Sequence, residues 1–322
     1  MKLREVKRIK LVPLAPFHFD ATVHKPDHFP SADSDWQPGA RWQTMFCQGK
    51  KLGLKLENKG TVSKPEIILH VWSNTDLSND FLKSLKEEIK YRYFLDLDLS
   101  EFTRKFKSDP FLGPIIKKWR GMRPLNYSSL YEYLMIGLVL QNCTVKRSIS
   151  MMQTLLEHYG TLLEYDGQKL YCHWQPKSLK NVSEEKLRSL KIGYRAKSVK
   201  RITDSFLNGE INELELRKKT KEEQRGVLLD LYGVGPATVW YLLFDVFHHF
   251  DELNHISPWE QKIYSKLFFD KNPEKPVAVE KLLKYFEKYG EYKMLAVHYL
   301  WEDLWWKRKN ESIPWLEKLI RV

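Results

Sequence analysis

The sequence predicts an α+β chain in which an N-terminal antiparallel β domain, residues 1–95, precedes a mostly α-helical domain, residues 96–322. Three observations carry that prediction. The stretches LGLKLE (52–57) and EIILHVW (66–72) alternate or run apolar over strand lengths, with turn residues in QGKKLG and NKGTVSKP beside them. From about residue 96 the apolar residues recur at spacings of three and four. Gly233 and Gly235 then stand between two apolar helical patterns in LLDLYGVGPATVWYLLFDVF (228–247).

In chain order, the first 95 residues hold the strands, and an antiparallel sheet is their simplest assembly. Tyr131, Leu134, Met135 and Leu138 set one helix, and Ile149, Met152, Leu155, Leu156 and Tyr159 a second, stopped by Gly160. Further helices fit 183–190, 195–208, 221–231, 236–249, 258–268, 276–288 and 291–308. FPSADSDWQPGARW (29–42) and EYDGQKLYCHWQPKS (164–178) read as loops, and no repeat or low-complexity tract interrupts the chain.

At 322 residues the chain has room for about two domains and a sizeable core. Hydrophobic residues make up 43% and charged residues 29%, the balance of a globular protein. No apolar run nears the roughly 20 residues that cross a bilayer, and the apolar segment of MKLREVKRIKLVPLAP is too short for a secretory signal. The expectation is an intracellular protein, cytoplasmic at the nucleoid or nuclear in a eukaryote, without a membrane partner. Cys47, Cys143 and Cys172 are odd in number and far apart, which argues against a disulfide framework and excludes a four-cysteine cluster within the chain. The ten histidines show no metalloprotease spacing, so no metal is expected.

Lysine and arginine outnumber the acids 53 to 41, a formal charge of +12. That excess suits a polyanion through counterion release, and equally a merely basic, solvated surface. The glycine-bracketed bend adds chemistry to the charge. Glycines allow a tight reversal, Pro236 suits a first helical turn, and the free amides that open the second helix point outward toward an anion. The pattern is that of a helix-hairpin-helix element; the alternative is a plain interhelical turn.

Residues 91–308 resemble the helix-hairpin-helix-GPD superfamily of DNA glycosylases, in the branch of 3-methyladenine DNA glycosylase II and 8-oxoguanine DNA glycosylase. The resemblance rests on YFLDLDLSEF, LVLQNCTVKRS, IGYRAKSV, LYGVGPATVWYLL and AVHYLWEDLWW, which arrive in the family's order. It implies a monofunctional base-excision repair glycosylase that flips a damaged, alkylated purine out of duplex DNA and removes it, acting as a monomer. No cofactor is implied beyond a monovalent cation at the hairpin.

Two positions depart from the family. The catalytic Asp position falls 22 residues after Gly235, on Ser257, and Ala237 stands where bifunctional relatives carry the Schiff-base lysine. Ser-Pro-Trp-Glu (257–260) reads as a capping box; alternatively Ser257 orients a water while Glu260 supplies the missing charge. Asp251, Glu252 and His255 read as loop residues.

By the same resemblance, Tyr241 and Trp301 sandwich the everted base, a slot suited to a cationic N-alkylated ring; the alternative is that both are core. Trp240 and Trp259 read as core. Gly233, Gly235, Ala237 and Thr238 face the DNA at the hairpin. Gln141, Asn142, Thr144 and Lys146 open a helix beside the lesion, and Arg195 and Lys197 reach phosphates. Lys307, Arg308 and Lys309 do so too, or form a solvated run. A different class of function remains beside the enzyme: a non-catalytic protein that binds lesions or distorted duplexes through an inherited pocket. A third reading is altered chemistry at DNA.

Overall fold

A computed structural model of the chain describes residues 1–26 and 32–320. Five strands, β1 (Arg4–Leu11), β2 (Ser34–Gln37), β3 (Ala40–Cys47), β4 (Lys50–Asn58) and β5 (Ile67–Ser73), form a sheet in the order β1-β5-β4-β3-β2. Every neighbouring pair is antiparallel. Gln48 and Gly49, both at positive φ, make the two-residue turn between β3 and β4.

Alternation explains β4 and β5. Leu52, Leu54 and Leu56 and the facing Ile67, Leu69 and Val71 are all fully buried. The helix α2 (Asn79–Arg92) lays Phe81, Leu85 and Ile89 over that face. Each such side chain contributes about 1.5–3 kcal/mol on leaving water. This 14-residue helix begins at Asn79, earlier than the change of period near residue 96 suggests.

The two expected loops both contain strands, and both expectations are corrected here. Residues 29–31 lie outside the described part, but the rest of 29–42 carries β2 and the start of β3. The buried positions of β3 run almost unbroken, Ala40 through Met45, so this strand shows no alternation to read. Within 164–178 sits the hairpin of β6 (Thr161–Tyr165) and β7 (Gln168–Cys172), turned by Asp166-Gly167 at positive φ, the very dipeptide that favours such a turn. This hairpin packs Leu163, Tyr165, Leu170 and Cys172 against Trp42 and Trp72 on the second face of the sheet. Gly53 is required there: a Cβ on it would come within 2.6 Å of the Tyr165 ring.

The helical remainder follows the periodicity closely. Before it come α1 (Phe19–Val23), α3 (Ser100–Phe106) and α4 (Leu112–Lys118). Then run α5 (Leu130–Leu140), α6 (Val145–Tyr159), α7 (Glu184–Leu187), α8 (Arg195–Leu207), α9 (Glu213–Leu216) and α10 (Lys221–Leu229). The last five are α11 (Pro236–Asp245), α12 (Pro258–Phe269), α13 (Val279–Phe286), α14 (Lys293–Asn310) and α15 (Pro314–Glu317). Helix α11 stops at Asp245 rather than 249, because His248 adopts a left-handed φ of 64°. One core joins α5, α6, α8, α10 and α11; another gathers α3, α4, α13 and α14 with Phe244 of α11. Helix α11 thus lies between the two cores. Among the described residues no helix is long and apolar enough to cross a membrane.

Several histidines are held neutral by burial. Burial, then the Arg217 charge, lowers His248 to about 3; burial, then Lys309, lowers His24 to about 4. Burial also lowers His173, whose ring stacks 4.1 Å from Trp174 and whose nitrogens find no partner among the described residues. A histidine depressed in the fold takes up its proton only on unfolding, so stability is full above about pH 6.5 and is lost as the pH falls below it. The thermal midpoint is expected to drop between pH 7 and pH 5. His173→Phe keeps the stack, so it should be at least as stable at pH 7 and show a shallower drop by calorimetry.

Candidate nucleic-acid interface and active site

The bend between α10 and α11 is built from two glycines with different duties. Gly233 has φ 85°, and a Cβ on it would lie 2.4 Å from Ser198 Oγ, so the fold itself demands glycine. Gly235 has φ −105° and caps α11, and a Cβ there would meet nothing within 4 Å. Nothing among the described residues requires it to be small. Val234 between them is buried and anchors the bend. The Thr238 and Val239 amides turn back to Gly235 O, whereas those of Gly235 and Ala237 have no partner among the described residues. Two amide donors at a helix N-terminus are therefore left open, an arrangement able to bind an anion. The Thr238 methyl carbon instead packs near Gly137.

The end of α5 adjoins this bend. Gln141 Nε2 donates to Gly233 O at 2.7 Å. Asn142 stands exposed at φ 47°, with its amide 3.4 Å from Tyr194 OH. Thr144 caps α6, and Lys146 is exposed on its first turn. The half-buried Lys197 places its ammonium 5.1 Å from the ring of exposed Tyr232, which Arg201 also covers at 4.3 Å. Arg195 corrects the sequence expectation: it is buried, with Nε on Leu138 O at 2.9 Å and Nη2 on Gln141 O. Leu138 O also accepts the Gln141 amide at 3.3 Å, and the guanidinium adds a donor to it and another to Gln141 O at the end of α5. Lys307 pairs with Asp303 and Arg308 with Glu317.

The second part of the site is the start of α12. Ser257 caps the helix in extended geometry; Glu260 N donates to Ser257 Oγ at 3.3 Å, and Ser257 N donates to Glu260 Oε2 at 2.8 Å. The capping box is real, and the Glu260 carboxylate has a further partner. Tyr241 OH, on the second turn of α11, donates to Glu260 Oε1 at 2.6 Å. Burial first, and the Glu260 charge second, push the Tyr241 phenol well above 10, so it stays a proton donor. The residue is nevertheless 37% exposed, so its ring borders solvent while its oxygen is turned onto a buried carboxylate.

Trp301 is joined to this group at one remove. Its indole N–H donates to Tyr264 OH at 2.6 Å, and Tyr264 lies one turn beyond Glu260 on α12. Trp301 also lies nearly parallel to Trp259 (5.2 Å, 9°) and Trp305 (5.5 Å, 20°). Trp259 is exposed at the edge of this trio rather than in the core. No ring contact joins Tyr241 to Trp301 among the described residues. Asp251 pairs with Lys221 at 2.6 Å and Glu252 with Arg225, while His255 is exposed, so these remain loop residues. A cavity of about 1150 Å³ beside α2, Glu213 and His248 is lined by none of the expected site residues.

One pair escaped the sequence reading. Tyr133 OH donates to Asp245 Oδ2 at 2.5 Å, and Asp245 follows Tyr241 by one turn. The signal was available: Asp245 is the one charged residue of α11. Among the described residues no three His, Cys, Asp or Glu side chains gather as a metal site.

This fold is that of the helix-hairpin-helix DNA glycosylases of known structure. No protein-family model matches the chain. It is 24% identical over 229 residues to the DNA-3-methyladenine glycosylase of Bacillus subtilis (strain 168), an alignment spanning 68% of this chain and 73% of that protein. The structure is similar to that of 3-methyladenine DNA-glycosylase from Archaeoglobus fulgidus (TM-score 0.71, 16% identity, 91% and 97% of the two chains). It is also similar to the Clostridium acetobutylicum 8-oxoguanine glycosylase/lyase in complex with double-stranded DNA (TM-score 0.69, 19% identity, 96% and 98%). The chain has this superfamily's fold, and its homologues are named as DNA glycosylases.

The two glycines should separate in experiment. Gly233→Ala is expected to cost about 1–2 kcal/mol in chemical denaturation, from the left-handed backbone and the Ser198 clash. Gly235→Ala should leave stability within about 0.5 kcal/mol yet weaken duplex binding measured by fluorescence anisotropy.

Proposed function

We propose that the protein is a monofunctional DNA glycosylase of base-excision repair, which extrudes a damaged purine from duplex DNA and hydrolyses its N-glycosidic bond. The observation that carries this reading is the shared carboxylate: Glu260, buried at the N-terminus of α12, bridges the Ser257 amide and the Tyr241 phenol. Glycosidic cleavage builds positive charge on the sugar, and a fixed carboxylate in a site screened from water stabilises it. Glu260 supplies that charge one turn along from the position Ser257 occupies. Ser257 Oγ, half-buried at the helix start, is placed to orient the water.

Names among the homologues and structural relatives support glycosylase chemistry on DNA. The hairpin donors and the formal charge of +12 support duplex DNA as partner. The Tyr241 ring and the trio of tryptophans around Trp301 support stacking on a cationic, N-alkylated purine, which is itself a good leaving group. Ala237 offers no amine, which supports hydrolysis without strand cleavage. The scheme needs no organic cofactor, and a monovalent cation at the hairpin would serve phosphate binding rather than chemistry.

One observation favours a second reading, a non-catalytic lesion binder. Both Glu260 oxygens already have hydrogen-bond donors, as in a purely structural cap. The test is a set of duplexes bearing alkylated purines, hypoxanthine or 8-oxoguanine, scored for alkali-labile sites. Excision by the parent, with a loss of about 100-fold or more in Glu260→Gln, is expected for the enzyme. Tight binding with no excision of any lesion would select the binder. Borohydride added during turnover should trap no covalent protein–DNA adduct, read as an absence of shifted bands on a denaturing gel.

A further inference from the structure

Asp245 closes α11, a helix with no other charge, and its position is unfavourable to the helix itself. A carboxylate at a helix C-terminus adds negative charge to carbonyls that already carry a partial negative charge. Local stability does not explain it. Asp245 shares a face with Tyr241, four residues earlier, and accepts the Tyr133 phenol at 2.5 Å. Burial first, then the Asp245 charge, hold the Tyr133 hydroxyl in its protonated form. Both residues are half-buried, so the carboxylate is not sealed in the core. Behind it lies Lys25, whose ammonium bonds Ala21 O at 3.0 Å and sits 3.4 Å from His298 Nε2 and 4.0 Å from Glu302. Burial lowers the Lys25 pKa, and the Glu302 and Asp245 charges offset part of that.

The direction of α11 gives Asp245 its meaning. The helix begins at the outward-facing amides of the bend, and Tyr241 and then Asp245 follow inward, the second about 6 Å beyond the first. A base swung out of a strand held at the bend meets Tyr241 with its ring and brings its far edge, opposite the sugar, toward Asp245. On a purine that edge carries positions 1, 2 and 6. A carboxylate only accepts hydrogen bonds. Guanine offers it two adjacent donors, N1–H and the 2-amino group, whereas adenine offers an acceptor at N1 and no amine at C2.

We propose that Asp245 is a specificity-determining residue that accepts N1–H and the 2-amino group of the extruded base, so that the substrates are guanine-derived lesions. This rests on the glycosylase reading above and narrows it. Tyr133 holds the carboxylate in orientation, and Lys25 with Glu302 balances charge behind it.

The test measures release of 7-methylguanine and 3-methyladenine from one methylated duplex preparation, and of 8-oxoguanine from a synthetic duplex, with parent and Asp245→Asn. The variant presents an amide donor to the guanine donors. It is expected to lose roughly tenfold or more in release of the guanine derivatives and less than about threefold for 3-methyladenine. Asp245→Glu keeps the acceptor and should retain the guanine preference; it also serves if the Asn variant does not fold. Equal losses on all bases would reduce Asp245 to a counter-ion of Lys25 and overturn the proposal. Release of 3-methyladenine alone by the parent would overturn the guanine assignment and leave the glycosylase reading standing. Release of no base by the parent would overturn the glycosylase reading itself.

Discussion

The site depends on one buried carboxylate. Glu260 would be costly in the interior unless each oxygen had a donor, and the two donors it finds belong to different helices: the Ser257 amide at the start of α12 and the Tyr241 phenol on α11. Satisfying that charge fixes the entry of α12 against the inner face of α11. The carboxylate thus stands one turn along from Ser257 and is itself part of the helix cap.

A second constraint comes from the aromatic wall of α14. Trp301 is oriented by its bond to Tyr264 and by near-parallel neighbours Trp259 and Trp305, so its plane is set by three contacts from two helices. Offset packing of this kind contributes beyond the area it buries. Between this wall and Tyr241, Glu260 and Tyr264 stand one turn apart on α12 and carry the polar contacts of both sides.

Much of this was legible in the chain. The helices from α5 to α14 follow apolar spacing, and the Ser-Pro-Trp-Glu cap and the glycine bend are local signals read from a few residues each. The tertiary partners were not legible. That Tyr241 would donate to Glu260, 19 residues away, depends on how two helices cross. Arg195 was assigned to phosphates because a cation near the DNA face invites it, but in the fold its guanidinium bonds two carbonyls at the end of α5. β3 escaped notice because a strand buried on both faces does not alternate. The β6–β7 hairpin was overlooked for another reason: charged residues masked a short strand pair despite its Asp-Gly turn.

The bond from Gln141 to Gly233 and the guanidinium of Arg195 under the end of α5 clamp three segments that are distant in sequence into one rim. Their side-chain freedom is given up when the chain folds, not when a duplex arrives. Docking on such a rim forfeits little further entropy. Under the proposed glycosylase reading, discrimination between intact and damaged DNA is then left to the cost of unstacking a base, a quantity that belongs to the nucleic acid and not to the rim.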